Sequence, residues 1–305
     1  MRTGPAFALV IVACSLLVVV ACSDKKDSGS PTSPSPTPSP TPTPGTSGYI
    51  VADHTSINLP SIPSEYVDRA KSTLHIAYGH TSHGSQIVSG MTGLVGFRGS
   101  LYTFARGGTG GALDLRDTPF SGASDLGNPD RRAWASATRT YLQANPQINV
   151  VMWSWCGQVS DASAGDIDSY LSLMSGLELE FPAVRFVYMT GHLDGTGLQG
   201  NLHQRNEQIR SYCRSGGKVL FDFADIETHN PDGRYFGDKI PNDACDYDSN
   251  GDGRRDGNWA REWQQSHVAG VDWYDCSSAH SEPLNANMKA YAAWYLFARL
   301  AGWGG

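Results

Sequence analysis

The chain has 305 residues, with 23 lysines and arginines against 30 aspartates and glutamates, and a formal net charge of -7. Nucleic acids and anionic membranes bind surfaces with clustered basic residues, and no basic stripe interrupts this acidic balance. The composition therefore argues against a nucleic-acid partner and against direct binding to an anionic bilayer.

Residues 1–22 have the pattern of an export signal. Arg2 gives a basic start, and an apolar run follows from Ala6 to Val20. A cysteine directly after a small residue resembles the lipobox of bacterial lipoproteins, which implies that Cys22 becomes the lipidated mature N-terminus. Ser23 then fits sorting to the outer membrane or cell surface of a Gram-negative bacterium, so that membrane contact is only through the anchor. The alternative is a plain secretory signal.

Residues 23–48 alternate proline with serine and threonine and contain almost nothing apolar. Proline-rich chain of this kind is extended, at about 3.1 Å per residue, so we expect a disordered tether. From residue 49 to residue 305 the composition is globular, and this length fits one large α/β domain.

Near-continuous apolar runs within this domain are predicted as buried strands, the second of them weaker than the rest. They are Thr73 to Gly79, Leu101 to Ala105, Ile148 to Trp155, Val184 to Thr190 and Lys218 to Ala224. Helical periodicity is found at Ser85 to Leu94, Ala133 to Ala144, Asp166 to Leu177, Asn201 to Ser215 and Asn285 to Ala301. Unbroken apolar strands that alternate with helices indicate a three-layer α/β/α sandwich around a mostly parallel, flavodoxin-like sheet.

Four cysteines follow the signal segment, an even number that predicts two disulfides in an exported protein. Cys245 and Cys276 flank one irregular, Asp- and Gly-rich region, so we favour a disulfide between them. Cys156 and Cys213 remain as the second pair. Sequence alone leaves the other two pairings open.

Polar and glycine-rich blocks follow the predicted strands in a characteristic order. They are Tyr78 to Gly90, Gly107 to Gly111, Trp155 to Gln158, Arg205 to Arg210, Asp222 to Glu227 and, before the last helix, His280. This succession resembles that of the SGNH hydrolase (GDSL-like esterase) superfamily, in the form of a divergent bacterial member.

The resemblance implies a serine hydrolase in which Ser82 is the nucleophile, His280 the base and Asp275 the residue that orients it. It also implies that Ser82 lies beside oxyanion or substrate-binding groups: Gly84, Gly110 or Gly111, and Gln158 in place of the usual Asn. His80 and Thr81 stand where the family has Gly-Asp, so Thr81 or Ser85 is an alternative nucleophile. Asp275 lies five residues before His280, not the usual three.

His80 and His83 come after the first predicted strand, and His192 and Asp194 follow another. Because ligands bind at the carboxyl ends of parallel strands, these side chains are expected to contact substrate. A transition-metal site is the alternative, and it would make the protein a metal-dependent hydrolase.

Residues 241–262 are predicted as an insertion that binds calcium. Counted from Asp248, oxygen-bearing side chains occupy positions 1, 3, 5 and 9, and glycine occupies position 6, as in EF-hand-like loops. The expected ligands are Asp248, Asn250, Asp252, the main chain of Arg254, and Asp256. Oxygen ligands suit a hard cation, so we expect a structural calcium ion.

The sequence thus predicts a surface-tethered esterase that acts on an extracellular ester such as an acylated carbohydrate, with calcium as a structural cofactor. Trp153, Trp155, Trp259 and Trp273 lie near the site segments, where they would stack on sugar rings or form core. The alternative is a binding protein on the same scaffold that captures glycan without turnover.

Overall fold

The computed structural model describes residues 48–305. The export signal, lipidated Cys22 and almost all of the tether lie outside the described residues. Within 48–305, no helix has both the length and the apolar character needed to cross a bilayer.

Seven parallel strands form the central sheet, in the order β1-β7-β6-β5-β2-β4-β3. Their bounds are β1 Ile50–Ala52, β2 His75–Gly79, β3 Phe104–Ala105, β4 Leu113–Asp117, β5 Val150–Trp153, β6 Arg185–Met189 and β7 Val219–Phe221. The chain runs from β2 to β3 and β4 on one side and then returns to β5 on the other. The order of the strands therefore reverses between β2 and β5, as in flavodoxin-like sheets.

Eight α-helices accompany the strands in the described part of the chain. They are α1 Ser64–Thr73, α2 Ser85–Arg98, α3 Ala133–Ala144, α4 Ala164–Glu180, α5 Asn201–Gly216, α6 Phe223–Glu227, α7 Trp259–Ser266 and α8 Pro283–Leu300. Alternate strand residues face two apolar cores, one with α1, α2 and α8 and the other with α3, α4 and α5. The predicted three-layer α/β/α sandwich is confirmed.

Sequence periodicity missed two strands of the sheet, β1 and β4. Strand β1 is only three residues long. Strand β4 reads Leu-Asp-Leu-Arg-Asp, and Asp114 within it is buried. Hydrogen bonds from His75 and Arg116 satisfy this carboxylate. A buried charge that is paired across strands is not visible in an apolar pattern.

Helices α2 and α8 pack so closely that only glycine fits at one contact. A Cβ atom on Gly90 would lie 2.1 Å from the carbonyl oxygen of Ala286. The hydroxyl of Tyr274 also donates to the Gly90 carbonyl, at 2.9 Å. The N-terminal ends of α2 and α8 are therefore held side by side, which determines where the preceding turns meet.

The four cysteines of the domain are free thiols, so both predicted disulfides are wrong. Cys213 lies on the buried face of α5, whereas Cys156 follows β5. Cys245 contacts the hydroxyl of Ser281 at 3.3 Å, and Cys276 contacts the amide of Asn287 at 3.4 Å. Each sulfur therefore contacts different groups. The even number of cysteines and their positions along the chain did not predict whether they pair.

Candidate active site

Polar turns from distant parts of the chain meet at the carboxyl end of the sheet, where the strand order reverses. Ser82 to Gly84 form a single 3-10 turn after β2 that continues directly into α2. His280 lies in the turn that precedes α8. Because α2 and α8 start side by side, these two turns face each other at the usual ligand position of an open parallel sheet.

Ser82 and His280 form a hydrogen-bonded pair. The Ser82 hydroxyl lies 2.5 Å from Nε2 of His280, although the residues are 198 positions apart in sequence. Both have a positive φ, 34° at Ser82 and 61° at His280, in the left-handed region that favours glycine. Strain of this kind persists where the surroundings enforce it, and it is concentrated at functional sites. The half-buried serine and the exposed histidine are open to a ligand.

The hydroxyls of Thr81 and Ser85, the two alternative candidates, donate to groups other than His280. The Thr81 hydroxyl donates a short hydrogen bond to the buried carboxylate of Asp125. The Ser85 hydroxyl donates to the carbonyl oxygen of Ser82 at 2.6 Å. Of the three candidates, only Ser82 contacts the imidazole of His280.

A buried polar network holds the turn that carries His280. The Gln86 amide donates to the carbonyl oxygen of Ala279 at 2.5 Å. Lys289 donates to the Gln86 side chain and, at 2.6 Å, to Glu227, and Lys289 and Glu227 are both fully buried. Burial lowers the pKa of Lys289 and Glu227 opposes that shift. The network fixes Ala279, the residue directly before His280. Its one signal in the sequence was a lysine within an apolar helix.

Asp275 does not complete a triad. It is exposed, and no hydrogen bond joins it to His280 in the described chain. The His280 ring instead stacks on His83, with centroids 4.6 Å apart. The geometry is that of a serine–histidine dyad.

The residues expected to bind an oxyanion are not arranged for it. The Gly84 amide donates to the Thr81 carbonyl at 2.9 Å, and a Cβ there would clash with Ser154. Gly110 and Gly111 precede the first residue of β4, so they lie at the amino end of the sheet, opposite Ser82. The glycine loop, Gly107 to Gly111, was expected at the carboxyl end of the sheet because it follows a short strand. It leads directly into β4, which is parallel to β3, so it lies at the amino end instead.

Gln158 has a structural role in which both ends of its side chain are used. Its amide nitrogen donates to Asp125 at 3.1 Å, and its oxygen accepts from the Cys156 amide at 2.9 Å. Ser82 is the first residue of the turn that leads into α2, and the first amides of a helix lack intrahelical acceptors.

The two histidines that follow β2 diverge. His80 turns toward β4, where its Nε2 lies 2.6 Å from Asp117. His83 turns toward β5 and β6, and its ring stacks on His192 with centroids 3.5 Å apart. His80 therefore takes no part in the expected histidine cluster.

A residue that the sequence did not indicate, Asp243, lies beside both His83 and His192. The Oδ2 atom of Asp243 lies 2.8 Å from Nε2 of His83. Burial lowers the pKa of His83, with partial compensation by Asp243. Burial raises the pKa of Asp243, but the His83 hydrogen bond and both nearby imidazoles outweigh it, so the net shift is downward. Asp243 lies in irregular chain, where no pattern indicates a partner.

Asp194, expected in this cluster, faces its own loop and accepts from the amide and hydroxyl of Thr196 at 2.9 and 2.6 Å. A bridge between Asp194 and Asn242 nevertheless brings Asp243 beside His192. The turn before His192 is clamped by Asn206, whose amide contacts the Gly191 nitrogen and oxygen at 2.9 and 3.0 Å.

Three of the four tryptophans near the site are core residues. Trp153, Trp155 and Trp259 are at most 2% exposed, and Trp273 is half-buried. The burial of Trp155 and Trp259 leaves neither indole available for sugar stacking, whereas Trp153, with Phe120, lines a cavity of about 280 Å³ beside His80.

The predicted calcium loop folds on itself between two short antiparallel strands, β8 Asp246–Tyr247 and β9 Gly257–Asn258. The Asp248 carboxylate accepts from the amides of Gly251 and Gly253, both at 2.7 Å.

Two other groups of three side chains could hold a metal ion in residues 48–305. In each group the potential ligand atoms lie within 4.8 Å of one another, and the groups are His83–His192–Asp243 and His54–Asp225–His229.

No protein-family model matches the chain, and no curated protein matches it.

Proposed function

We propose that the protein is a serine esterase in which Ser82 is the nucleophile and His280 the general base. The observation that carries this proposal is the 2.5 Å hydrogen bond between the Ser82 hydroxyl and Nε2 of His280. A hydroxyl is a poor nucleophile until a base lies within hydrogen-bonding distance. The positive φ of both residues supports a role in chemistry more than a role in folding.

In this mechanism His280 accepts the Ser82 proton as the serine oxygen attacks an ester carbonyl. The imidazolium then donates this proton to the alkoxide oxygen as the C–O bond breaks, and the alcohol departs. His280 next takes a proton from the water that attacks the acyl-enzyme and gives it to the Ser82 oxygen as the acid is released. The Ser82 amide stabilises the oxyanion, and one such donor is typically worth about 3 kcal/mol. An extracellular ester such as an acylated carbohydrate is the substrate class that suits a tethered, exported domain.

Labelling by a fluorophosphonate tests the assignment of the nucleophile. We expect the wild-type protein to be labelled and to hydrolyse short-chain aryl esters, and Ser82→Ala to lose both properties. Ser85→Ala is the matched control, because its hydroxyl does not contact His280, and it should still be labelled. Labelling that persists in folded Ser82→Ala would overturn the assignment.

The alternative is a binding protein that captures glycan without turnover. The absence of a carboxylate partner for His280 in the described chain favours it. A wild-type protein that is neither labelled nor active on aryl esters and acetylated glycans, but that binds glycan, would replace the esterase proposal with this one.

We also propose that the Asp248–Asp256 loop binds a structural calcium ion. The support is the density of oxygen donors in a loop that a hairpin closes. Calcium should raise the midpoint of thermal unfolding of wild-type protein but not of Asp252→Ala. Equal midpoints with calcium and with a chelator would refute the proposal.

The export signal and Cys22 support a further proposal, that the domain is anchored to the outer membrane or cell surface as a lipoprotein. Detergent-phase partitioning that is lost in Cys22→Ala is the expected result. Partitioning into the aqueous phase by the wild-type protein would favour the plain secretory signal.

A further inference from the structure

A second cluster of side chains lies beside the Ser82–His280 pair and takes no part in the proposed esterase chemistry. His83, His192 and Asp243 each place one potential ligand atom within 4.8 Å of the others. They come from the β2 turn, the β6 turn and the irregular chain that follows α6. Three segments that are far apart in sequence therefore meet at one edge of the sheet. The local folding of any one segment does not account for this meeting.

His192 supplies the strongest observation. Its Nδ1 donates to the carbonyl oxygen of Leu193 at 2.8 Å, which leaves the lone pair on Nε2. This Nε2 atom is buried without a hydrogen-bond partner in residues 48–305, and the residue is 8% exposed. A buried, unpaired acceptor costs about 1–3 kcal/mol. Metal-ligating histidines characteristically donate their other ring nitrogen to a carbonyl, as His192 does.

The other two side chains are held in a similar way. Asp243 directs Oδ2 to His83 while its Oδ1 accepts from the Ala244 amide at 3.0 Å. The ring of His83 is fixed by its stack on His192. These contacts orient all three groups, and an ion bound between His83 and Asp243 takes the place of the proton that Nε2 and Oδ2 share.

We propose that His83, His192 and Asp243 bind one divalent transition-metal ion of the zinc class. Two imidazoles and a carboxylate are a donor set that zinc and similar ions favour, and three protein ligands leave room for water or a substrate oxygen. With both imidazoles neutral the ligand set carries one negative charge, so the occupied site has a net positive charge. This proposal does not depend on the esterase assignment.

The second His–Asp cluster of the protein provides a control with the same residue types. His54 lies 2.5 Å from Asp225 and stacks on His229, whose Nδ1 contacts Thr228 at 3.0 Å. No buried polar atom of its three side chains lacks a partner in the described part of the chain. Metal binding is therefore expected at the first cluster and not at the second.

Calorimetric titration with zinc tests this on the full chain after removal of metals by a chelator, with calcium in excess to occupy acidic loops. We expect one equivalent to bind to wild-type, Ser82→Ala and His229→Gln proteins. Affinity should fall at least about tenfold in His192→Gln and in Asp243→Asn. Cobalt should give the visible absorption bands of a low-coordinate site in the wild-type protein and not in His192→Gln.

Wild-type protein that binds no zinc equivalent overturns the proposal, as does binding that His229→Gln abolishes and His192→Gln retains. Thermal unfolding checks that each variant is folded, and Asp243→Asn provides a second test if His192→Gln is not. Failure of the esterase proposal would appear separately, as fluorophosphonate labelling that does not depend on Ser82.

Discussion

The two ends of strand β2 carry polar clusters of different kinds. At the first residue, His75, an imidazole pairs with Asp114 at 2.9 Å. Asp114 also accepts from Arg116 and, at 2.6 Å, from the Gly107 amide. Beyond the last residue of β2, the cluster around Ser82 has strained backbone and a buried imidazole nitrogen, Nε2 of His192, that lacks a partner in residues 48–305.

This is the difference expected between a cluster that stabilises the fold and the site proposed for chemistry. Buried polar groups in stable regions are almost always satisfied, whereas exceptions require a specific reason. Strained and unpaired groups cost free energy that the rest of the fold must offset. The carboxyl end of β2 therefore shows the signs of a functional site, and the amino end shows those of a structural one.

The largest expected effect is that of removing His280, the proposed base, at the carboxyl end. His280→Ala should lower kcat/KM on aryl esters by about 10³-fold or more, because Ser82 loses its proton acceptor. The matched control is His75→Ala at the other end of the strand, which should keep the wild-type kcat/KM. Steady-state kinetics measure both, and similar losses in the two variants would contradict the contrast between the ends.

At the amino end we expect an effect on stability instead. Asp114→Asn replaces a buried carboxylate that pairs with His75 and Arg116, and it should lower the free energy of unfolding by about 1–3 kcal/mol at neutral pH. Burial raises the pKa of Asp114, but the hydrogen bonds from His75, Arg116 and the Gly107 amide outweigh it, so the folded-state pKa is lowered. The stabilisation is then present above the unfolded-state pKa of about 3.9 and is lost as pH falls through the folded-state pKa.

Urea unfolding across acidic pH measures this prediction. The wild-type and Asp114→Asn curves should converge as the pH falls below 3.9, the ordinary range of the carboxyl. Asp68→Asn, which changes an exposed residue of α1, should match the wild-type protein throughout. A difference that persists undiminished in acid would show that the carboxylate charge is not the cause.

The contrast also explains what sequence could predict. The α/β architecture followed from unbroken apolar runs such as Ile148 to Trp155, because burial on both faces imposes composition directly. Ser82 and His280 were predicted as a pair only from the resemblance of the ordered blocks to the SGNH hydrolase superfamily, and the structure brings their side chains into contact. Asp243, Gln86 and Glu227 could not be predicted, because their roles arise from contacts between segments far apart in sequence.

A smaller effect tests the corrected position of the glycine loop. Gly110 has φ 67° and open space around its Cβ position, so Gly110→Ala introduces strain without a clash. We expect a loss of about 1 kcal/mol in the free energy of unfolding and unchanged esterase activity. Gly96→Ala, at an equally open position inside α2, should be neutral or stabilising. A selective loss of kcat/KM in Gly110→Ala would contradict this position and indicate that the loop contributes to the active site.

The smallest expected effect concerns Asp275. If it oriented His280 as the third member of a triad, its replacement would cost several orders of magnitude in rate. Because it is exposed and shares no hydrogen bond with His280 in the described chain, Asp275→Asn should change kcat/KM by no more than about twofold, as an ordinary surface substitution does. Gln86→Leu is the informative comparison, since Gln86 holds the carbonyl of Ala279. A larger loss of kcat/KM in Gln86→Leu than in Asp275→Asn would show that His280 is positioned through its backbone. The opposite order would support Asp275 as the third member of a triad.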